Sequence, residues 1–343
     1  MRRISFAATA AVMSLALGAA SVVGQEASPE ASPPTSSPSP LATIGEPADG
    51  GARIVAVETV DGRTRYLTIE SPAVGTVQVR LLLPATFDEG AGERYPVLYL
   101  LHGGGGGHTD WTKNTDVEGM TASADLLVAM PASASSNLGT VLSEDGSDEE
   151  GELPNWETFH VVELPQLLER NWQAGDERAI GGLSLGGYGA MRYAGRHPDL
   201  FKAVASYSGV LDLAVSPDVP AEVQELAGLA RELAEGAGWE DPNPVTLVPA
   251  LQGLAVYVSY GNGAPGPLDD ANAGLDVLEE WVGQGDDNFV TALSKEGVPA
   301  VTNAYGAGSH SWSYWDRELC ASLPLLLEAL AVSAATPCTA PAP

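Results

Sequence analysis

Basic residues are scarce in this chain. Lysine and arginine together number 16, against 45 aspartates and glutamates, so the formal net charge is −29. Nucleic acid binding needs a basic surface that neutralises phosphates, and electrostatic docking on anionic lipid needs one as well. The composition therefore argues against both kinds of partner, and the simplest role of such a charge is solubility. We infer no obligate protein partner.

The apolar segment at the N-terminus is short for a membrane span. Arg2 and Arg3 precede the apolar residues Ile4–Ala20, and further small residues follow. This pattern predicts a secretory signal peptide over residues 1–24, and a retained membrane anchor is the weaker alternative. No cysteine is present there for lipid attachment. We expect a secreted, extracellular protein that can stay associated with the cell envelope.

The composition divides the rest of the chain into three parts. Residues 25–52 are rich in proline, serine, alanine and threonine, and they show no helical or strand periodicity. Such a segment buries too little apolar surface to fold, which predicts a disordered linker. Residues 53–335 have a globular composition and are long enough for one large core, which predicts a single catalytic domain. Residues 336–343 are the C-terminal tail.

Cysteine is nearly absent. The two cysteines are Cys320 and Cys338. In an exported protein they can pair, and this disulfide would tie the C-terminal tail to the last helix. The alternative is two unpaired thiols, one of them buried.

Apolar, β-branched runs recur along the chain and alternate with helical patterns. Several runs are nearly continuous in apolar character, which is typical of strands buried on both faces of a mostly parallel sheet. The runs are RIVAVETV, TVQVRLLLP, PVLYLLHG, DLLVAMPA, ERAIGGLS, AVASYSGV, LAVYVSYGNG and PAVTNAY. The helical patterns are WETFHVVELPQLLERNW, LGGYGAMRYAGRH, PAEVQELAGLARELAEGAG, LDVLEEWVG, DNFVTALSKEG and RELCASLPLLLEALAV. The alternation predicts an α/β fold with a mostly parallel central sheet and helices on both faces.

A G-x-S-x-G pattern lies where a predicted strand meets a predicted helix. Its fixed positions are Gly182, Ser184 and Gly186. This context is that of the nucleophile elbow of α/β-hydrolases, a strained turn in which a Cβ on either glycine would clash with the neighbouring strand or helix. A phosphate-binding loop would need lysine followed by serine or threonine after the last glycine, and neither follows here. The pattern predicts Ser184 as a nucleophile on an α/β-hydrolase fold.

A serine nucleophile needs a base, and the base needs an acid to orient it. In this fold the chain order is serine, acid, histidine. His310 follows the last predicted strand and precedes the last helix, so we predict it as the base. His102, His108 and His160 precede the serine, and we expect His197, beside Pro198, to face solvent at a helix end.

Two groups of carboxylates lie between Ser184 and His310 as candidates for the acid. Asp269 and Asp270 lie in the loop after the strand LAVYVSY, and Glu279 and Glu280 lie further on in a helical segment. Chain order alone leaves the choice between them open.

Stabilising a tetrahedral oxyanion takes two backbone N–H donors. We predict Leu185, the residue after the nucleophile, as one of them. The other should come from the turn after the third strand, where the sequence reads LLHGGGGGHTDW. A glycine turn of this kind lets the backbone approach a substrate closely. Gly104 is the predicted donor, with Gly105 as the alternative.

From about residue 75 to residue 330 the chain resembles the esterase D group of α/β-hydrolases, and within it the secreted mycolyltransferases of the antigen 85 type. The segments that carry the resemblance are YPVLYLLHG, NWETFHVVELPQLLERN, GLSLGGYGAMRYAGRHPDLFKAVASYSGVLD, WEDPNPVTL, VYVSYGNGAPGPLDDAN, VLEEW and GSHSWSYW. The acid of that family matches Glu279 in VLEEW, so the resemblance favours Glu279 over Asp269 or Asp270. The mycolyltransferases carry an Asp and an Arg in the turn where this chain has His102 and glycines, which puts trehalose as the acceptor in question.

The motifs and the resemblance together predict a secreted serine esterase or acyltransferase that works through an acyl-enzyme. Its partner would be an ester substrate, which can be a lipid or a sugar ester, and it would need no metal and no cofactor. One alternative is a general esterase, like esterase D or the feruloyl and acetyl esterases, that transfers only to water. Another is a non-catalytic surface-binding protein on a hydrolase fold.

Overall fold

The computed structural model of the chain describes residues 43–89, 92–133, 155–215 and 243–333. Within these ranges nine strands form one sheet in the order β1-β2-β3-β5-β4-β6-β7-β8-β9. The strands are β1 (Arg53–Thr59), β2 (Thr64–Ser71), β3 (Gly75–Leu82), β4 (Tyr95–Leu101), β5 (Leu127–Pro131), β6 (Ala174–Leu183), β7 (Ala203–Tyr207), β8 (Ala255–Gly261) and β9 (Ala300–Gly306).

The sheet is parallel over most of its width. Strands β4 to β9 lie parallel to their neighbours, whereas β1, β2 and β3 are antiparallel to one another and β3 is antiparallel to β5. The parallel strands β4, β5, β7 and β8 are nearly continuous apolar runs, because both of their faces are covered, whereas the edge strand β9 has no buried residue. The predicted mostly parallel sheet is therefore confirmed, with an antiparallel extension at one edge.

Helices cover both faces of the sheet. They are α1 (Asp110–Asn114), α2 (Val117–Met120), α3 (Trp156–Thr158), α4 (Leu164–Asn171), α5 (Leu185–Arg196), α6 (Val277–Glu296) and α7 (Trp312–Ala329). Apolar residues of α4, α5 and α6 join one core cluster, and those of α1, α2 and α7 join the other. Short 3₁₀ helices span Pro198–Leu200 and Pro244–Leu251. None of the helices in the described ranges is long and apolar enough to cross a membrane.

The predicted helix WETFHVVELPQLLERNW contains a widened turn. A π-helical turn spans Phe159–Glu163 between α3 and α4, and the N–H of Leu164 donates to the carbonyl of Phe159. Pro165 follows directly and has no N–H to give to the carbonyl of Val161 four residues earlier. The wider turn is the local adjustment expected before such a missing donor.

The structure differs from the predicted elements in several places. Strand β2 was not among the predicted runs, and neither were α1 and α2. The segments LDVLEEWVG and DNFVTALSKEG form one continuous helix, α6. The predicted helix PAEVQELAGLARELAEGAG lies outside the described residues, as does Cys338. The disulfide with Cys320, a buried residue of α7, thus stays a prediction.

Residues 43–52, which the composition places in the linker, pack against the domain. Ile44 forms a bridge with Ile54, while Ala48 and Ala52 are buried. The amide of Asn171 in α4 donates to the carbonyl of Glu46 at 2.8 Å and its carbonyl oxygen accepts the N–H of Glu46 at 2.7 Å. The folded part therefore extends further towards the N-terminus than composition indicates, because backbone pairing offsets a weak apolar pattern.

Helix α6 carries a second carboxyl on the face that holds Glu279. Asp286 lies two turns after Glu279 and is fully buried. Neither carboxyl oxygen of Asp286 has a hydrogen-bond partner among the described residues. Burial, and then the negative charges of Glu279 and Asp287, raises the pKa of Asp286 well above its ordinary value of 3.8. The folded protein consequently holds a proton at this position that the unfolded chain releases.

We expect Asp286→Asn to make the protein more stable than the wild type by a margin that grows with pH. From about pH 4 upwards the unfolded chain loses the Asp286 proton while the folded protein keeps it, so wild-type stability falls until the pH reaches the raised pKa. Asparagine does not titrate and escapes this loss. Urea denaturation across this pH range measures the margin. Glu296→Gln, on the exposed end of the same helix, is the control, and a pH-independent margin would contradict the expectation.

Candidate active site

Ser184 lies at the predicted sharp turn between β6 and α5. Its backbone has φ 53° and ψ −122°, a conformation that residues with a side chain rarely adopt. Two hydrogen bonds hold the turn: the N–H of Ser184 donates to the carbonyl of Tyr207 at 3.0 Å, and the carbonyl of Ser184 accepts the N–H of Tyr188 at 3.1 Å. The surrounding strand and helix thus impose the strained turn that a nucleophile elbow requires.

The glycines on either side of Ser184 allow a close approach of backbones. A Cβ on Gly182 would lie 2.2 Å from the carbonyl oxygen of Gly186. A Cβ on Gly186 would lie 2.4 Å from the carbonyl oxygen of Leu101, at the end of β4. Both contacts are with backbone atoms that cannot move aside without shifting α5 or the sheet, so only glycine fits.

His310 and Glu279 are in direct contact. Nδ1 of His310 lies 2.7 Å from Oε2 of Glu279, which is fully buried. The other carboxylate oxygen of Glu279 accepts three hydrogen bonds: from the N–H of Gly261 at 2.6 Å, the hydroxyl of Ser208 at 2.8 Å and the hydroxyl of Tyr305 at 3.1 Å. Four hydrogen bonds therefore hold this carboxylate, three of them on one oxygen, and together they fix its orientation.

The surroundings of Glu279 favour its charged form. Burial alone would raise the pKa of Glu279. The hydrogen bond from His310, the charge of His310 and the hydrogen bonds from Gly261 and Ser208 outweigh burial, so the pKa lies below its ordinary value. A carboxylate that stays ionised can only accept, so the ring nitrogen facing it must carry the proton. The contact therefore selects the tautomer of His310 whose Nε2 is an acceptor.

Ser184 and His310 lie at the same edge of the sheet. Ser184 follows β6, Gly261 ends β8, and His310 follows β9, so all three are at the carboxyl ends of parallel strands. Nε2 of His310 is buried and has no hydrogen-bond partner in the described part of the chain. No hydrogen bond joins it to Ser184 there, and such bonds often tighten only when substrate binds. An unoccupied, buried Nε2 is what a general base presents.

The alternative acids, Asp269 and Asp270, have other surroundings. Asp269 accepts hydrogen bonds from the N–H of Gly266 at 2.7 Å, the hydroxyl of Tyr314 at 3.0 Å and the hydroxyl of Ser309. The backbone carbonyl of Asp270 accepts the N–H of Ala273. Within the described residues neither carboxylate bonds to the ring of His310. Asp269 instead supports the loop that carries His310 through its neighbour Ser309.

The other histidines that follow or flank the serine are already engaged. Nε2 of His197 lies 2.6 Å from a carboxylate oxygen of Glu157, so this residue does not simply face solvent as the sequence led us to expect. Nδ1 of His160 lies 3.2 Å from the hydroxyl of Tyr193, and burial lowers the pKa of His160 to about 3. Both therefore serve the packing of α3 and the π-helical turn against α5.

The glycine turn after β4 lies against the nucleophile. A Cβ on Gly103 would lie 3.2 Å from Cβ of Ser184, so the next peptide unit, which carries the N–H of Gly104, is close to the serine. In the described ranges, no protein group accepts the N–H of Gly104 or of Leu185. Gly105 has φ 70°, which glycine adopts without strain. The N–H groups of Gly104 and Leu185 thus have no backbone acceptor among the described residues, and their role as oxyanion donors stays a prediction.

His102 fixes the direction of the Gly104 N–H. Nδ1 of His102 lies 2.7 Å from the carbonyl oxygen of Gly103, while Nε2 accepts the N–H of Ser133 at 3.0 Å and lies 2.7 Å from its hydroxyl. These contacts define a neutral ring protonated at Nδ1, and burial lowers the pKa of His102 accordingly. Because a trans peptide is planar, anchoring the Gly103 carbonyl turns the N–H of Gly104 to the opposite side.

Several residues of the site were missed by the sequence analysis. They are Ser208 and Tyr305, which donate to Glu279, and Asp276, which precedes α6. Ser208 and Tyr305 show no local pattern, because they reach Glu279 from other strands. Asp276 did carry a signal: an aspartate directly before a helical run is a preferred helix N-cap.

A family model described as "Putative esterase" matches residues 73–326 of this chain. The chain belongs to this esterase family. The resemblance inferred from the motifs is thereby confirmed. Family membership agrees with the order of the sheet and with the serine turn described above.

Two curated relatives and one solved structure illustrate the similarity of this esterase-family chain. Esterase Rv1288 of Mycobacterium tuberculosis is 30% identical over 283 residues, which cover 77% of this chain and 59% of that protein. The diacylglycerol acyltransferase/mycolyltransferase Ag85B of Mycobacterium intracellulare is 30% identical over 307 residues, covering 83% and 89%. An S-formylglutathione hydrolase of Agrobacterium tumefaciens superposes with a TM-score of 0.62 at 17% identity, covering 81% and 99%. The predicted α/β-hydrolase fold is confirmed, and the chain spans 59% of the length of Rv1288.

We expect His102→Gln to lower kcat for hydrolysis of a short-chain nitrophenyl ester on the order of 10- to 100-fold, with KM nearly unchanged, because an oxyanion donor acts in the transition state. The amide of glutamine reaches the position of Nε2 and leaves the Gly103 carbonyl with only the longer, 3.2 Å hydrogen bond from the N–H of Gly106. His102→Asn is the matched control, since the shorter amide places an N–H near the position of Nδ1. Equal losses in both variants would show that His102 only fills space.

Proposed function

We propose that this chain is a secreted serine carboxyl-ester hydrolase or acyltransferase that works through an acyl-enzyme. The observation that carries the proposal is the 2.7 Å contact between His310 and Glu279, with the unoccupied Nε2 of His310 at the sheet edge where Ser184 forms its strained turn. Export rests on the N-terminal pattern that begins with Arg2 and Arg3. The N-terminal sequence of the protein recovered from the culture medium tests export separately.

The acylation half of the reaction follows from the positions of these groups. Oγ of Ser184 attacks the ester carbonyl and its proton passes to Nε2 of His310, which becomes an imidazolium beside the ionised Glu279. The N–H groups of Leu185 and Gly104 stabilise the oxyanion. When the tetrahedral intermediate collapses, the bond to the leaving alcohol breaks and His310 returns the proton to that alcohol. The acyl group stays on Ser184 as an ester.

The deacylation half repeats the same proton transfers with a second hydroxyl compound. Water or a sugar hydroxyl attacks the acyl group on Ser184, and His310 takes its proton. The collapse of the second intermediate breaks the bond to Ser184, whose oxygen recovers the proton. Neither half requires a metal or a cofactor. The relatives include both an esterase and a diacylglycerol acyltransferase/mycolyltransferase by name, so both acceptors are chemically within the family.

Water is the acyl acceptor that the glycine turn favours. Both ring nitrogens of His102 are engaged inside the protein, and the five residues that follow are glycines without side chains to contact a sugar. The mycolyltransferases that this chain resembles carry an Asp and an Arg in that turn. A general esterase of the esterase D kind, acting on a lipid or sugar ester, is therefore the form of the proposal that the described turn supports.

We expect Ser184→Ala to reduce kcat for a short-chain nitrophenyl ester by on the order of 10³-fold or more, because the nucleophile is lost. A fluorophosphonate should label the wild type at Ser184 and leave the variant unlabelled, as read by peptide mass spectrometry. Ser294→Ala, at an exposed position of α6, is the matched control and should behave as the wild type. Full activity in Ser184→Ala would rule out Ser184 as the nucleophile, and a wild type with neither activity nor labelling would favour a non-catalytic binding protein.

The acceptor can be identified from the products of the same reaction. With a nitrophenyl ester and trehalose or another polyol present, we expect free acid as the main product, because the turn offers no side chain to hold the sugar. Mass spectrometry of the products measures the ratio of free acid to acyl-sugar. A yield of acyl-sugar that rises with sugar concentration until it exceeds free acid would instead assign the chain as a transferase.

A further inference from the structure

Asp276 caps the helix that carries Glu279. It lies directly before α6, and its Oδ1 accepts the N–H of Leu278 at 3.0 Å and that of Glu279 at 3.1 Å. These are two of the N–H groups in the first turn of a helix that have no partner within the helix. Because one of them belongs to Glu279, this oxygen acts on the backbone of the residue that contacts His310.

The second oxygen of Asp276 acts on the histidine. Oδ2 accepts the backbone N–H of His310 at 2.9 Å. Asp276 and His310 lie 34 residues apart in the chain and belong to different segments, one before α6 and one before α7. A single carboxylate therefore bonds to the backbones of both residues that form the acid–base contact.

The backbone on either side of this carboxylate is also tied down. The N–H of Asp276 donates to the carbonyl of Gly263 at 2.8 Å, and the N–H of Gly263 donates to the carbonyl of Gly308 at 3.1 Å. Gly263 has φ 75°, and a Cβ there would lie 2.2 Å from the carbonyl oxygen of Asp276. The loops after β8 and β9 are thus joined around Asp276, which leaves its carboxylate little freedom to turn.

We propose that Asp276 is a positioning residue that sets the contact between Glu279 and His310, an inference that rests on the proposed function of these two residues. It touches neither the substrate nor the reacting atoms. Its side chain joins the first turn of α6 to the His310 loop. The backbones of Glu279 and His310 are therefore already in place for the 2.7 Å hydrogen bond between their side chains. Holding reacting groups in place in this manner lowers the barrier because the ordering has already occurred.

The chemistry of the site explains why the residue is an aspartate. A helix N-cap needs one acceptor oxygen, which serine, threonine or asparagine also supplies. Here the second oxygen faces a third N–H, that of His310, so two acceptors are needed on one short side chain. In an asparagine one of these positions is an NH₂ group, which would face an N–H donor instead of accepting from it.

The variants Asp276→Asn and Asp276→Ser separate capping from positioning. Both keep an acceptor for the first turn of α6, and neither satisfies the His310 N–H at the same time. We expect kcat for the nitrophenyl ester to fall between about 10- and 100-fold, with KM within about twofold of the wild type. Asn155→Ala is the matched control, because Asn155 caps α3 through the N–H of Thr158 at 2.9 Å, away from the acid–base pair. It should lose thermal stability without losing kcat.

A second measurement is independent of activity. The Nδ1 proton shared by His310 and Glu279 should give a strongly downfield proton resonance in the wild-type protein, which His310→Gln would remove and so assign. We expect this resonance to broaden or disappear in Asp276→Asn and to persist in Asn155→Ala. If Asp276→Asn keeps the resonance and the wild-type kcat, the inference is wrong. If the wild type shows the resonance but neither esterase activity nor labelling of Ser184, the proposed function fails while the positioning role of Asp276 can still be judged.

Discussion

The hydrogen bond between Nδ1 of His310 and Oε2 of Glu279 is the contact on which the rest of the site depends. It joins a loop after β9 to the first turn of α6, and the charged carboxylate of Glu279 is fully buried there. A charge removed from water is tolerated only when its hydrogen-bonding capacity is met, and Gly261, Ser208 and Tyr305 meet it here. The edge of the sheet is therefore arranged around Glu279, and the histidine orientation follows from that arrangement.

The serine side of the site depends on a different constraint, the close approach of three backbone segments. A Cβ on Gly182 or Gly186 would meet a neighbouring backbone atom closer than 3.0 Å, and a Cβ on Gly103 would meet Cδ1 of Leu183 at 2.7 Å. This close packing orients the peptide groups around Ser184. The buried ring of His102 adds a directional contact, because it hydrogen-bonds to the Gly103 carbonyl, which also accepts the N–H of Gly106 at 3.2 Å. The two halves of the site thus differ in their main constraint: side-chain hydrogen bonds around Glu279, and close packing at glycines around Ser184.

What the sequence could predict was the part determined by local patterns. The turn at Ser184 is set by adjacent residues, and the apolar runs in the sequence predict the buried parallel strands. Strand β2 was not predicted, because its buried positions include Thr64 and Ser71 as well as Leu67 and Ile69. The polar residues weaken the alternation of apolar and polar positions. Chain order could not separate Glu279 from Asp269, since both precede His310; resemblance to the family favoured Glu279. Ser208 and Tyr305 were out of reach because only the folded sheet brings their strands to the same carboxylate.

Placing Glu279 in the first turn of α6 has an electrostatic consequence. The peptide dipoles of a helix sum to about half a positive charge at its N-terminus, and this favours a nearby anion. Glu279 lies at that end of a 20-residue helix, together with Asp276 and Glu280. The macrodipole therefore stabilises the carboxylate whether or not His310 carries a second proton. During turnover the proton taken from the serine would stay on the imidazole, because the field of α6 opposes its transfer to the acid.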